Sequence, residues 1–285
     1  MPSEALTREQ IDLFEENGFL HLKGVIGPQE LESLRRDEER ISGPAMRSII
    51  PNSDYSYRTD PKSGKKVFCR VDYAQLKGDA FFKLLGNPAL LRIAECIQGR
   101  NLLPGGFALV VKSPGFGAPV HWHRDPAYCR VRHGVNLGVY LDDATEENGM
   151  LYVLPKSHKR DDIDMEALIE EHGFKIPGAI SVHARAGDVV VHSENVYHGS
   201  RTARSQSKRR VIYYGCRTIE EQLARGLNAD WVRAVAKVLL VAIKTRAESE
   251  QGRNETPYQW RPTSPEYVPQ FDANEYVEMR LRESL

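Results

Sequence analysis

Four cysteines in 285 residues, with no C-x-x-C pair among them, are too few and too scattered to organise a fold. Cys69, Cys96, Cys129 and Cys216 therefore predict no zinc knuckle, thioredoxin-type motif or disulfide framework. An excess of charge of one sign is lacking as well. The 39 Lys and Arg residues balance 39 Asp and Glu, whereas a general nucleic-acid or membrane-surface binder needs a field of one sign. Short basic runs such as Lys65-Lys66 and Lys208-Arg209-Arg210 read as solvated faces or local anion contacts, so neither nucleic acid nor membrane is an expected partner. The most apolar run, Val238 to Ile243, is bracketed by Lys237 and Lys244 and is far too short to cross a bilayer. Met1-Pro2-Ser3-Glu4-Ala5 shows no basic segment leading into an apolar core, so no secretory signal is expected and the expected location is cytoplasmic.

What is present falls into three zones with no repeat or linker between them, which predicts one domain over 1–285. The first, 1–100, reads as mainly helical. Thr7 caps a helix with Gln10 three residues on, and Asn17-Gly18 ends it. Phe19 to Leu22 is a short strand, and Gly27-Pro28 opens a second helix through Leu31, Leu34 and Ile41. Residues 43–66, rich in Pro, Ser, Asn, Gly and Tyr, read as a long loop, a candidate lid. Phe81 to Leu85 and Pro88 to Ile97 are helical again.

The second zone, about 105–217, is a series of short β-rich runs: Phe107 to Lys112, Val120 to His123, Val135 to Leu141, Leu151 to Leu154, Val189 to His192 and Arg210 to Tyr214. Only Glu166 to Glu171 interrupts them with helical character. Strands without intervening helices favour an antiparallel sandwich or barrel over βαβ units. In the third zone, 218–285, a helix over Asp230 to Arg246 precedes a polar, proline-punctuated tail anchored by Tyr258, Trp260, Tyr267 and Phe271.

His121-Trp122-His123-Arg124-Asp125 is the stretch most able to carry chemistry. Alternation along a strand turns His123 and Asp125 to one side. One further histidine would complete a two-histidine, one-carboxylate face suited to iron(II), with coordination positions left open. About 75 residues on, Gly187-Asp188 leads through an apolar strand to His192, then to His198-Gly199-Ser200, with Arg209 eleven positions beyond His198. This combination resembles the phytanoyl-CoA dioxygenase superfamily of iron(II)/2-oxoglutarate oxygenases. The resemblance extends over Leu6 to Gln10, Asn17-Gly18-Phe19, Leu141 to Gly149 and Leu154-Pro155-Lys156-Ser157-His158, and it covers roughly 6–217.

The resemblance implies an α+β fold with a mainly β core, a double-stranded β-helix or cupin-like jelly roll with flanking helices. It implies iron(II) held by His123, Asp125 and His198, with dioxygen and 2-oxoglutarate as cosubstrates. Arg209 and Ser200 would bind the distal carboxylate of 2-oxoglutarate, a task for a planar guanidinium, and Asn136 could face the same cosubstrate. The implied reaction oxidises an unactivated C–H bond of a small metabolite and releases succinate and carbon dioxide; retention of Asp125 favours hydroxylation over halogenation. Two positions depart from the family pattern: Lys156 stands where relatives often have glycine, and Arg201-Thr202-Ala203-Arg204 follows His-Gly-Ser.

The residues leave alternatives open. Arg209 and Arg210 alternate, so only one can face inward, and spacing favours Arg209. His121 and His192 are expected as structural neighbours of the site, with His121 and Trp122 as its walls and Arg124 pointing away unless the strand is bulged. Arg70, Arg124, Arg130, Arg132 and Lys112 lie near the expected mouth, and Arg70, Arg124 and Arg130 are the candidate contacts for an acidic or carrier-linked small molecule. The other readings are a cupin-type metalloenzyme that uses His121, His123 and His198 without 2-oxoglutarate, and a non-catalytic jelly-roll binding module.

Overall fold

Thr7 opens the first helix with a capping box: its hydroxyl accepts from the Gln10 N–H while the Gln10 side chain accepts from Thr7 N–H, and Gly18, at φ 79°, closes the helix. The computed structural model describes residues 5–59, 64–114, 118–125 and 134–270. Helix α1 (Arg8–Asn17) leads into β1 (Phe19–Leu22), α2 (Pro28–Arg47), β2 (Tyr55–Thr59) and β3 (Lys66–Asp72). Helices α3 (Asp79–Leu85) and α4 (Pro88–Gln98) precede β4 (Leu102–Lys112), β5 (Val120–His123), β6 (Val135–Tyr140) and β7 (Leu151–Val153). Then follow α5 (Met165–His172), β8 (Ile180–Val182), β9 (Val189–Ser193), β10 (His198–Ser200), β11 (Arg209–Thr218), α6 (Ile219–Ala224) and α7 (Ala229–Ala247).

The strands form a jelly roll of two antiparallel sheets, a seven-stranded one in the order β1-β9-β6-β11-β4-β3-β2 and a four-stranded one in the order β5-β10-β7-β8. The outer face of the larger sheet packs under the helices: Leu109, Leu137 and Ile212 share one core with Leu84, Leu90 and Leu239. Its inner face meets the smaller sheet through Tyr140, Leu151, Val153, Val190 and Val211. Covered on both faces, β9 and β11 read as nearly continuous apolar runs, not as alternating ones. Tyr258 and Trp260 anchor the C-terminal tail as expected, with Trp260 Nε1 donating to the Leu102 carbonyl at 2.8 Å; Phe271 lies outside the described residues. No helix among the described residues is long and apolar enough to cross a membrane.

The expected loop over 43–66 is corrected by the structure. Helix α2 continues to Arg47 with Pro44 inside its last turns, and β2 and β3 form a hairpin on the edge of the larger sheet. The expected helical zone thus supplies β1, β2 and β3 to that sheet. Alternation was present but disguised, because Tyr55 and Tyr57 pack on Phe68 while Ser56 and Arg58, between and beyond them, turn to the interior cavity. Ser56 pairs with Arg70 and Tyr57 with Phe68, so Cys69 is an extra residue in β3. This bulge keeps Phe68 in the core and Arg70 in the cavity.

Candidate active site

Between the sheets lies a cavity of about 880 Å³, lined on one side by β2, β3, β4 and β11 and on the other by β5 and β10. His198 pairs directly with His123 across β10 and β5. Asp125, just past the end of β5, is held by its N–H donating to the Glu194 carbonyl at 2.8 Å. Ligand atoms of His123, Asp125 and His198 all lie within 4.8 Å of one another. His123 Nε2 stands 3.5 Å from Asp125 Oδ1, and His198 Nε2 4.0 Å from Oδ2.

The rings are set for metal binding by the backbone. His123 Nδ1 lies 2.8 Å from the His121 carbonyl and His198 Nδ1 3.0 Å from that of Val196. Carbonyls only accept, so each Nδ1 carries the hydrogen and each Nε2 presents a lone pair towards Asp125. Asn136 Nδ2 donates to Asp125 Oδ2 at 2.7 Å, which fixes the carboxylate; Asn136 therefore sits on the triad's aspartate. Burial alone would raise the Asp125 pKa, but the contact with His123, within the cluster of neighbouring histidines, holds it below the usual carboxylate range. Burial, followed by the neighbouring His192, pulls His198 down to about 3, so its ring stays neutral and able to ligate. The donor set fits a divalent iron.

A second group of polar atoms waits deeper in the cavity. Arg209 is 1% exposed, and its Nε and one terminal nitrogen lack partners; Ser200 Oγ, 3% exposed, lacks one too. Buried donors without acceptors are costly, and this pair has the chemistry of a carboxylate site. Arg210 faces the other way, into an ion-pair cluster with Glu38 and Asp142. The sequence expectation that Arg209 is the inward arginine is what the structure has.

Two expectations near the triad are overturned. Ser200 pairs with Val120 and His198 with His123, leaving one extra residue in β5. The bulge rotates His121 and Trp122 outwards, where they line an outer groove beside Phe174. They are not walls of the site, and the set His121, His123 and His198 does not form. Arg124 is also absent from the cavity: its guanidinium lies over the Tyr197 ring at 4.4 Å and donates to the carbonyls of Ser157 and Arg160. Arg70 does line the cavity, paired with Asp72 at 2.7 Å. Arg130 and Arg132 lie outside the described residues. His192 packs its ring on His198, centroids 4.5 Å apart.

The family model for phytanoyl-CoA dioxygenase matches residues 14–211. This chain belongs to the phytanoyl-CoA dioxygenase family. A probable alpha-ketoglutarate-dependent hypophosphite dioxygenase from Stutzerimonas stutzeri is 25% identical over 227 residues, covering 73% of this chain and 77% of that one. The peroxisomal phytanoyl-CoA dioxygenase of Mus musculus is 27% identical over 233 residues, 74% of this chain and 68% of the relative. Among solved structures, AviO1 from Streptomyces viridochromogenes Tue57 superposes with a TM-score of 0.64 at 28% identity, covering 74% of this chain and 94% of that one.

For a member of the phytanoyl-CoA dioxygenase family, the departure at Lys156 has a visible consequence. Lys156 keeps a left-handed backbone, φ 67°, which suits glycine better. Its ammonium pairs with Glu16 at 2.7 Å and its N–H donates to Asn17 O at 3.0 Å, contacts a glycine would in part lack. His158 in the same turn has Nε2 3.1 Å from the Glu15 carbonyl and so ties the turn to the end of α1. Sequence reading missed Glu194 and Arg217, a buried ion pair on the cavity wall. Burial raises the Glu194 carboxyl to about 7, against the pull of Arg217. A glutamate just past a strand that opens with three valines was the available signal.

Proposed function

We propose that this chain is an iron(II)- and 2-oxoglutarate-dependent oxygenase that hydroxylates an unactivated C–H bond of a small molecule and releases succinate and carbon dioxide. The observation that carries the reading is one cavity containing two unsatisfied sets: the converging donors of His123, Asp125 and His198, and the buried free donors of Arg209 and Ser200. His123, Asp125 and His198 would hold the iron, which when bound supplies the activation of dioxygen coupled to decarboxylation of the 2-oxo acid. Arg209 and Ser200 bind the far carboxylate and so orient the cosubstrate; Asn136 keeps the Asp125 carboxylate turned to the metal.

On the substrate side the cavity's ion pairs, Arg70 with Asp72 and Arg217 with Glu194, neutralise themselves. A small polar molecule suits such a wall. An acidic substrate would have to displace Asp72 from Arg70 or meet Arg58, whose guanidinium donates to the Pro119 carbonyl. The unpaired thiols Cys69, Cys96 and Cys216 support a reducing, cytoplasmic location.

Anaerobic titration with iron(II) and 2-oxoglutarate tests the reading. The protein should develop the weak visible charge-transfer absorption of a chelated 2-oxo acid. Arg209→Met should still bind iron(II) but bind 2-oxoglutarate on the order of 100-fold more weakly, since a bidentate charge-assisted contact is lost. A wild-type protein with no 2-oxoglutarate-dependent absorption, or an Arg209→Met protein with unchanged affinity, overturns it.

A further inference from the structure

The buried pair of Glu194 and Arg217 sits beside the metal site, because the Glu194 carbonyl accepts the Asp125 N–H. Arg217 Nε and Nη2 grip the two Glu194 oxygens, and Nη1 donates to the Gly105 carbonyl at 3.2 Å. A guanidinium has five N–H groups, and these contacts use three. Among the described residues one N–H is thus left on each terminal nitrogen, in a side chain that lines the cavity. The slot is cut for the pair: a Cβ on Gly105 would collide with Arg217 Nη1, and one on Gly134 would stand 2.7 Å from both Arg217 Cγ and Glu194 Oε2. Beside it the cavity floor carries no side chain. Gly215, two residues before Arg217, pairs with Gly106 on β4 and with Asn136 on β6, and a Cβ on Gly106 would meet nothing within 4 Å. Tyr73 stands at the lip, lining the same cavity at 56% exposure. It follows Asp72, whose partner on β4 is Ala108, two residues from Gly106. Its backbone is left-handed, φ 53°, which disfavours a bulky side chain, so the ring is held at the opening at a local cost.

We propose that this end of the cavity holds the substrate as a neutral ring bearing several hydroxyl groups, a sugar unit, with Arg217 donating to hydroxyl oxygens and Tyr73 covering the ring's C–H face. The Glu194 charge cancels that of Arg217, so the guanidinium offers donors without calling for an anion. A hydroxyl both accepts and donates. It can therefore take an Arg217 N–H and return its own hydrogen to Glu194 or Asp72, since a carboxylate has about four lone-pair sites and keeps acceptor capacity beside an arginine. An apolar chain in the same place would leave these groups without partners, which is costly. The bare floor at Gly106 and Gly215 lets a ring lie flat beside Asn136, the residue that holds Asp125, and so within reach of the metal site.

The proposal rests on the oxygenase reading of the site, and ligand-observed NMR separates the two. Protein carrying zinc(II) in place of iron(II), so that no turnover occurs, is mixed with 2-oxoglutarate and in turn with the methyl pyranosides of glucose, mannose and galactose, with methyl glucuronoside as the acid, and with methoxycyclohexane as the bare ring. Saturation transfer should reach at least one neutral glycoside, and more strongly than the acid or the bare ring. Tyr73→Gly and Arg217→Lys should each bind that glycoside on the order of tenfold more weakly. Tyr73→Gly should unfold at no lower urea concentration than wild type, because glycine accepts the left-handed backbone. Arg217→Lys keeps a cation beside Glu194 and should keep the wild-type iron(II) affinity. No transfer to any of the three neutral glycosides, a preference for the acid or the bare ring, or unchanged affinity in either variant overturns the proposal. So does an Arg217→Lys protein that loses iron(II) and glycoside affinity together, which makes the pair a support for Asp125. Transfer to a glycoside but not to 2-oxoglutarate leaves the sugar site standing and overturns the 2-oxoglutarate reading.

Discussion

Arg210→Met should unfold at a much lower urea concentration than wild type, with a loss of about 3–5 kcal/mol. The guanidinium grips Asp142 with two hydrogen bonds of 2.7 Å and reaches Glu38 Oε2 at 2.6 Å. Glu38, on α2, is 0% exposed and its other oxygen has no partner, so Arg210 is the charge that makes its burial tolerable. The carboxylates hold the arginine pKa above its ordinary value although burial opposes this. Methionine keeps much of the volume but leaves the buried Glu38 carboxylate without its cation.

The double variant Glu38→Leu/Arg210→Met separates the buried charge from the packing. Removing both partners eliminates the uncompensated Glu38 carboxylate, so part of the stability should return. Asp142, 18% exposed in its side chain and 4.0 Å from Arg35, can turn to solvent and to that second arginine. If Arg210→Met shifts the urea midpoint no more than an exposed substitution would, Arg210 is not what ties α2 to the jelly roll. The adjacent Arg209→Met should show the opposite pattern, a small change in stability and a large one in cosubstrate affinity.

That contrast also marks what the sequence could reveal. Spacing from His198 singled out Arg209 over Arg210, and strand alternation then required Arg210 to face the helices. The helices declared themselves through start signals that are local by nature: Thr7 with Gln10 for α1 and Gly27-Pro28 for α2. Hidden features were those in which alternation is broken or disguised. The extra residue in β5 cannot be read from His121-Trp122-His123, because a bulge is set by the partner strand, here Ser200 opposite Val120. In β2 the core-facing residues are tyrosines, which can serve a loop or a strand equally, and their partner Phe68 is on another strand. Lys112 was visible only as a charge near the mouth; its entry into the cavity follows from the cross-strand pairing with Arg209.

Asp125→Ala should lower iron(II) affinity by more than about 100-fold and reduce succinate release to background. Loss of a hydrogen-bonding partner behind a metal ligand already costs roughly 10–100-fold, and here the ligand itself goes. It is also the anion of the triad: His198 stays neutral, and His123, though raised by its Asp125 contact against the effect of burial, must be neutral to ligate. Two imidazoles alone would face a divalent cation with no charge to neutralise it. The fold should persist, because Asp125 contributes one backbone bond, from its N–H to Glu194, that alanine retains. Asn136→Ala, which frees the carboxylate to rotate while leaving it in place, should fall within the roughly 10–100-fold range, giving an order of wild type, Asn136→Ala, Asp125→Ala. Equilibrium dialysis against iron(II) under argon measures that order independently of turnover. Wild-type iron affinity in Asp125→Ala, with its unfolding curve unchanged, would remove the aspartate from the metal site.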